Sequence, residues 1–307
     1  MIIREKTNWF KMLFVWDGSV LPKLLPRLIG LFIFTSIIVY FRPYLDKYHG
    51  ELSTNIYTLF GIALAIFLGF RNNVSYDRFW EGRKLWGALL NDTRSLAQQV
   101  HNFIPNDEQY REEKVIFIKE MAAMVYALNH QLRNTNAMPQ IASMLPGEVL
   151  MKLENAEHVP VILMREMGAR INLWRQRGAI DTILQVAMDK NLANFSDIIG
   201  GCERITNTPI PFSYNVLLHR TIYIYCFLLP FGFANSLGWY APFIITFVAY
   251  TFTALEAIAD ELENPFGNMQ NDLALDAMSA NIERSIAEIE DVQIEKKAKT
   301  ETSFYIT

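Results

Sequence analysis

The hydrophobic pattern divides the chain into two apolar blocks separated by a long mixed region. The first block holds two runs. Between Arg27 and Arg42 lies LIGLFIFTSIIVYF, about 14 apolar positions, extended by Pro22 to Pro26 before it and by Tyr44 and Leu45 after it. Between Glu51 and Arg71 lies a charge-free run of about 19 residues, close to the roughly 20 that a helix rising 1.5 Å per residue needs to cross a bilayer core. The pair predicts a membrane hairpin. Tyr40, Tyr44, Tyr48 and Tyr57 around its turn fit an aromatic belt at the membrane surface. Beyond Phe70, the polar residues Asn72, Asp77, Arg78, Glu81, Arg83 and Lys84 include no helix breaker. Phe79, Trp80, Leu85 and Trp86 meanwhile keep one apolar face, so a single long helix is predicted to leave the membrane.

Two stripes run side by side on this helix. Ile62, Ile66 and Phe70 recur at i, i+4 and i+8, and Gly61, Ala65 and Gly69 recur beside them at the same step. Small residues every fourth position let membrane helices approach closely, so copies of this helix can pack around an axis. The bulky stripe then faces that axis or lipid.

The middle region, Arg71 to Arg220, has no stretch long and apolar enough to span. Asn91 to Phe103, Glu112 to Arg133 and Ala179 to Asn191 place apolar residues three and four apart, with little strand-like alternation, which predicts a helical cytosolic region. The second apolar block, Thr221 to Leu255, is uncharged over about 35 positions, enough for two helices joined at Asn235, Ser236 and Gly238. Four spans in two hairpins place both termini and the middle region on one side. Lys23, Arg27, Arg71, Arg78 and Arg220 near the spans make that side the cytoplasm, while Arg42 and Lys47 in the outer loops are offset by Asp46 and Glu51. After Glu256, NPFG acts as a stop, because Pro265 disfavours helix at Asn264. A last helix then carries Leu275, Met278, Ile282, Ile286 and Ile289 on one face.

Composition agrees with a chain half in lipid and half in water: 307 residues, 51% hydrophobic and 20% charged. The net charge of −4 conceals an asymmetry, about +3 in the first seventy residues, about +1 in the middle and about −8 from Glu256 onward. No basic footprint for nucleic acid results. The start of the chain interrupts its apolar residues with Lys11 and Asp17, unlike a signal peptide. Trp9, Phe10, Leu13, Phe14 and Trp16 with Lys6 and Lys11 suggest an interfacial or membrane-adjacent packing segment instead. Cys202 and Cys226 form neither a disulfide framework nor a CxxC pair, and the five histidines are scattered, so no metal site is expected. No nucleotide-binding or nucleophile-elbow signature occurs, and the carboxylates fall on helix faces read as solvated, without visible partners. No enzyme is expected.

LGF followed by RFWEGR (Gly69, Phe70, Arg78 to Arg83), TPIPFSY (Thr208 to Tyr214) and NPFG (Asn264 to Gly267) occur together in this order. With them the chain resembles the bestrophin family, bacterial branch, over essentially its whole length. The resemblance implies an all-α membrane protein, a homopentamer with four transmembrane helices per subunit, a large cytosolic helical region and one central pore. The implied segments are 1–26 interfacial, 27–72 first hairpin, 73–218 cytosolic, 219–258 second hairpin and 259–307 cytosolic tail. It further implies a narrow neck lined by Ile62, Ile66 and Phe70, and a cytosolic aperture formed by an aliphatic residue, for which Ile180 is the candidate. The partners are then other copies of the chain, membrane lipids and permeant monovalent ions, in a bacterial inner membrane.

Animal bestrophins follow NPFG with an aspartate-rich calcium clasp. Here Asn268, Met269, Gln270, Asn271 and Asp272 leave one carboxylate, and no calcium or other cofactor is expected. Rings of Ile and Phe offer no replacement for hydration, so such a neck gates by steric closure and dewetting. By resemblance to bacterial members, sodium or potassium is the expected permeant ion, with chloride as the alternative. A secondary transporter and a membrane-anchored scaffold or sensor are the competing classes; the absence of intramembrane charge and of visible repeats weighs against the transporter.

Overall fold

The computed structural model describes residues 8–45 and 54–292, so Lys6 and the expected outer-turn residues Asp46, Lys47, Tyr48, His49 and Glu51 lie outside the described residues. Among the described residues every regular element is helical. In order the α-helices are α1 (Trp9–Met12), α2 (Leu21–Leu45), α3 (Thr54–Phe103), α4 (Glu108–Leu132), α5 (Met138–Ile141), α6 (Gly147–Leu153), α7 (Val159–Gln176), α8 (Thr182–Asn207), α9 (Phe212–Leu237), α10 (Ala241–Glu263) and α11 (Leu275–Ile289).

Three stretches are long and apolar enough to cross a membrane: Leu21–Pro43, the N-terminal part of Thr54–Phe103, and Phe212–Glu263. The third contains two helices. The chain reverses at Gly238, whose φ of +52° a side chain would strain, and Trp239 and Tyr240 complete a 3₁₀ turn before α10. α10 stops at Glu263, since Asn264 precedes Pro265 and leaves the helical region (φ −116°, ψ 76°).

The chain divides into two compact units. One comprises the described residues up to Phe79 together with Pro209–Asn264. Its core interleaves Leu24 and Leu28 of α2, Leu64 and Leu68 of α3, Ile222 and Cys226 of α9 and Ala249 of α10, with a second cluster around Ile38, Tyr57, Leu229 and Ile245. Between membrane helices, close fit replaces water exclusion as the source of cohesion. Tyr57 is therefore a core residue and not part of a surface belt: its ring fills the space a Cβ on Gly232 would need.

The other unit comprises Trp80–Thr208 and the described residues from Pro265 on. α4 is its central helix, nearly all of Phe117–Asn129 being buried, as its apolar surface on every side requires. Buried Glu120 receives two hydrogen bonds from Arg170 of α7 (2.7 and 3.2 Å), so the carboxylates are not all solvated and unpartnered as the sequence suggested. α11 lays Leu275, Ser279, Ile282 and Ile286 against this unit and anchors itself at seven-residue intervals. Asp276 meets Asn129 and Arg133 (2.7 and 2.8 Å), Glu283 meets Tyr126 (2.6 Å), and Glu290 meets His101 (3.0 Å). The compact units thus join the start of the tail to the middle region.

Candidate functional site

α3 is fifty residues long, and one seam of it is buried throughout: Tyr57, Leu64, Leu68, Arg71 and Ser75, then Trp86, Leu89 and Thr93. Alternating steps of three and four hold this seam on one side of the helix. Successive side chains turn by about 100°, which puts Ile62, Ile66 and Phe70 roughly 180° away from the seam. They are accordingly 56%, 53% and 60% exposed. The stripe points away from its own subunit because the seam, and not the stripe, fits the neighbouring helices.

The small-residue stripe does not behave as one unit. A Cβ on Gly61 would lie 2.5 Å from the Tyr225 hydroxyl, which itself donates to the Tyr57 carbonyl at 3.2 Å; Gly61 accommodates a helix of its own subunit. Gly69 has nothing within 4 Å of the same position, and Ala65 is exposed, so these two remain open for a neighbour.

Ile180, the residue that the resemblance implies for the cytosolic aperture, sits at the entry to α8. It is 4% exposed and packs into its own unit just before the α8 N-cap Asp181, whose carboxylate accepts the Leu184 amide at 2.8 Å. The exposed aliphatic residue of this segment is Ile183, at 78%, on the first turn of α8. Local periodicity shows an apolar position at both 180 and 183, but only the neighbouring helices decide which is covered.

Next to the stripe is a charged cluster that the sequence did not reveal. Arg71, immediately after Phe70, is 2% exposed; its guanidinium pairs with Asp260 and lies 3.8 Å from Glu263. Glu263 is the hub: it also accepts the Ile210 amide (3.1 Å) and the Asn215 side chain (3.4 Å), while Arg78 Nε donates to its carbonyl (3.0 Å). The sequence signals distant along the chain, LGF with its continuation, TPIPFSY and the residue before NPFG, therefore meet at one carboxylate. The remaining acids of this turn go elsewhere, Glu261 to Lys23 (2.6 Å) and Glu256 to His219 (2.8 Å). Tyr214 adds a bond from its hydroxyl to the Phe67 carbonyl (3.2 Å).

In the segment after NPFG, Asp272 is buried and accepts the Met269 amide at 2.8 Å. Among the described residues, no group of three or more His, Cys, Asp or Glu side chains is arranged to hold a metal ion.

Comparison with known proteins places these features in context. The family described as Bacterial/Fungal Bestrophin protein matches residues 1–288. A protein of Ralstonia nicotianae named a voltage-dependent anion channel-forming protein is 43% identical over 94% of each chain. One of the same name from Escherichia coli is 36% identical over 95% of this chain and 94% of its own. Among solved structures, a bacterial bestrophin homologue from Klebsiella pneumoniae superposes with a TM-score of 0.84 at 34% identity, covering 88% of this chain and all of that one.

Proposed function

The chain belongs to the bacterial and fungal bestrophin family, an ion-channel family, and we propose that copies of it, five by the family resemblance, surround one axis and pass small monovalent ions passively. The observation that carries this reading is the position of Ile62, Ile66 and Phe70, opposite the buried seam of α3 and beside the open Gly69. Side by side around an axis, these residues form a neck with neither charge nor carbonyl oxygen to replace hydration, so width and wetting control conduction. Ile180 is the aliphatic residue of the cytosolic aperture by the family resemblance, with the exposed Ile183 three residues on as the alternative. Both termini face the cytoplasm of a bacterial inner membrane, in keeping with Lys23, Arg27, Arg71, Arg78 and Arg220 near the spans. The chain is read as having no calcium site beyond NPFG, because a single carboxylate, Asp272, stands there in place of several.

The names of the relatives specify anions and support chloride as the permeant ion; they lend nothing to the sodium or potassium expected from the sequence. A second reading, cation passage, draws on one feature of α3, the exposed carboxylate of Asp77 inward of Phe70. The purified protein in a planar bilayer under asymmetric sodium chloride decides between them. Discrete currents with substitution of Ile66 by alanine raising their size support the neck. A reversal potential near that of chloride supports the first reading, and one near that of sodium overturns it in favour of the second. Absence of current under all conditions overturns the channel.

A further inference from the structure

The heptad step that defines the α3 seam also defines which residues continue the neck stripe inward on the opposite side. Seven residues on from Ile66 and Phe70 come Asn73 and Asp77, both exposed. Their turns keep them about 180° from Arg71 and Ser75. Asp77 forms no hydrogen bond or ion pair with any described residue. Of the basic residues within seven positions along the helix, Arg71 lies in the buried seam against Asp260 and Glu263 and Arg78 turns to the Glu263 carbonyl, while Arg83 and Lys84, six and seven positions on, are exposed. The face that carries the neck stripe therefore passes from apolar to amide to carboxylate, with Lys84 one further heptad, about 10 Å, inward of Asp77.

We propose that Asp77 determines the charge preference of the pore, its carboxylates forming a ring at the inner end of the neck that favours cations and opposes anions. This rests on the reading that Ile62, Ile66 and Phe70 face a shared axis. Seven residues of helix advance about 10 Å, so the ring lies about one Debye length, near 8 Å at physiological salt, from Phe70. At that separation several like charges facing one narrow aqueous passage bias which ions enter it, whereas a single surface carboxylate does not. The bias is strong in dilute salt and fades in concentrated salt. The direction of its effect is the same whichever ion dominates in the unaltered pore.

The test compares Asp77→Asn and Asp77→Lys with the unaltered protein in planar bilayers under asymmetric sodium chloride. Asp77→Asn is expected to raise the chloride-to-sodium permeability ratio by about fivefold at low salt, with Asp77→Lys raising it further and both effects shrinking toward 1 M salt. Asp77→Cys supplies a second readout. The introduced thiol is expected to react with water-soluble charged thiol reagents and to change the current, against a low background because Cys202 and Cys226 are buried. Unmoved reversal potentials in both charge variants, with Ile66→Ala still enlarging the current, overturn the role of Asp77 alone. An Ile66→Ala current of unchanged size overturns the neck, and this proposal with it.

Discussion

Arg71 and Glu263 stand 3.8 Å apart, guanidinium to carboxylate, although 192 positions separate them in the chain and each is almost completely buried. The pair fastens α3, one residue past Phe70, to the last turn of α10. With Asp260 completing the contact, the helix turn carrying the inner end of the neck stripe cannot rotate without leaving buried charge unpaired.

Replacing Arg71 by methionine is therefore expected to cost about 2–3 kcal/mol. This is less than the loss of a fully enclosed pair, because Asp260 can rehydrate and Glu263 keeps the Ile210 amide and Asn215. The detergent-solubilised protein should melt several degrees lower. Lys23→Met, which removes an exposed partner of Glu261, should leave the melting point nearly unmoved. Equal melting of the two variants would contradict the buried pairing.

Ile180 and Ile183 should separate by experiment. Ile180→Ala empties a filled core position and is expected to cost about 2–4 kcal/mol of stability. Ile183→Ala removes an exposed side chain, so stability stays within about 0.5 kcal/mol. A change in rectification or conductance on Ile183→Ala assigns the aperture to it, and unchanged currents leave the aperture with Ile180. Thermal unfolding and single-channel recording on the same preparations provide both readouts.

Glycines of the membrane unit offer a similar contrast. Gly232→Ala forces its new methyl into the Tyr57 ring and is expected to destabilise the subunit by about 1–3 kcal/mol. A side chain at Gly69 starts into open space, with nothing of its own chain within 4 Å of its Cβ. Its effect should fall on assembly, seen as a shift to smaller species in native mass spectrometry with subunit helicity retained. An undisturbed assembly would argue that copies do not pack along Gly69.

The anchoring of α11 should depend on pH in one direction. Burial alone pushes the Asp276 carboxyl up, but hydrogen bonds from Arg133 and Asn129, together with the Arg133 charge, outweigh it and hold the carboxyl below the usual range. A folded value below the unfolded one, near 4, means that Asp276 contributes stability above about pH 4, and that the contribution is lost as pH falls through the lower folded value. Asp276→Asn is expected to flatten the acid limb of the stability profile, measured by thermal unfolding from pH 7 to pH 3. An unchanged acid limb would assign that dependence to other carboxylates.

Much of this protein is decided by local pattern. The helical content, the hairpins, the continuation of α3 past the membrane, the stop at NPFG and the i, i+4 stripe of Ile62, Ile66 and Phe70 all arise from periodicity and from backbone preferences that act within a few residues. What a repeat cannot state is which side of a helix its neighbours cover. Tertiary packing alone buries Ile180 and exposes Ile183, turns Gly61 to Tyr225 while leaving Gly69 open, and draws Tyr57 from an expected surface belt into the core. It also brings Arg71, Ile210, Asn215 and Glu263 together. The physical reason is range: a helix repeat is written every few residues, whereas a buried charge is compensated by whichever partner the fold delivers, here about 190 residues away.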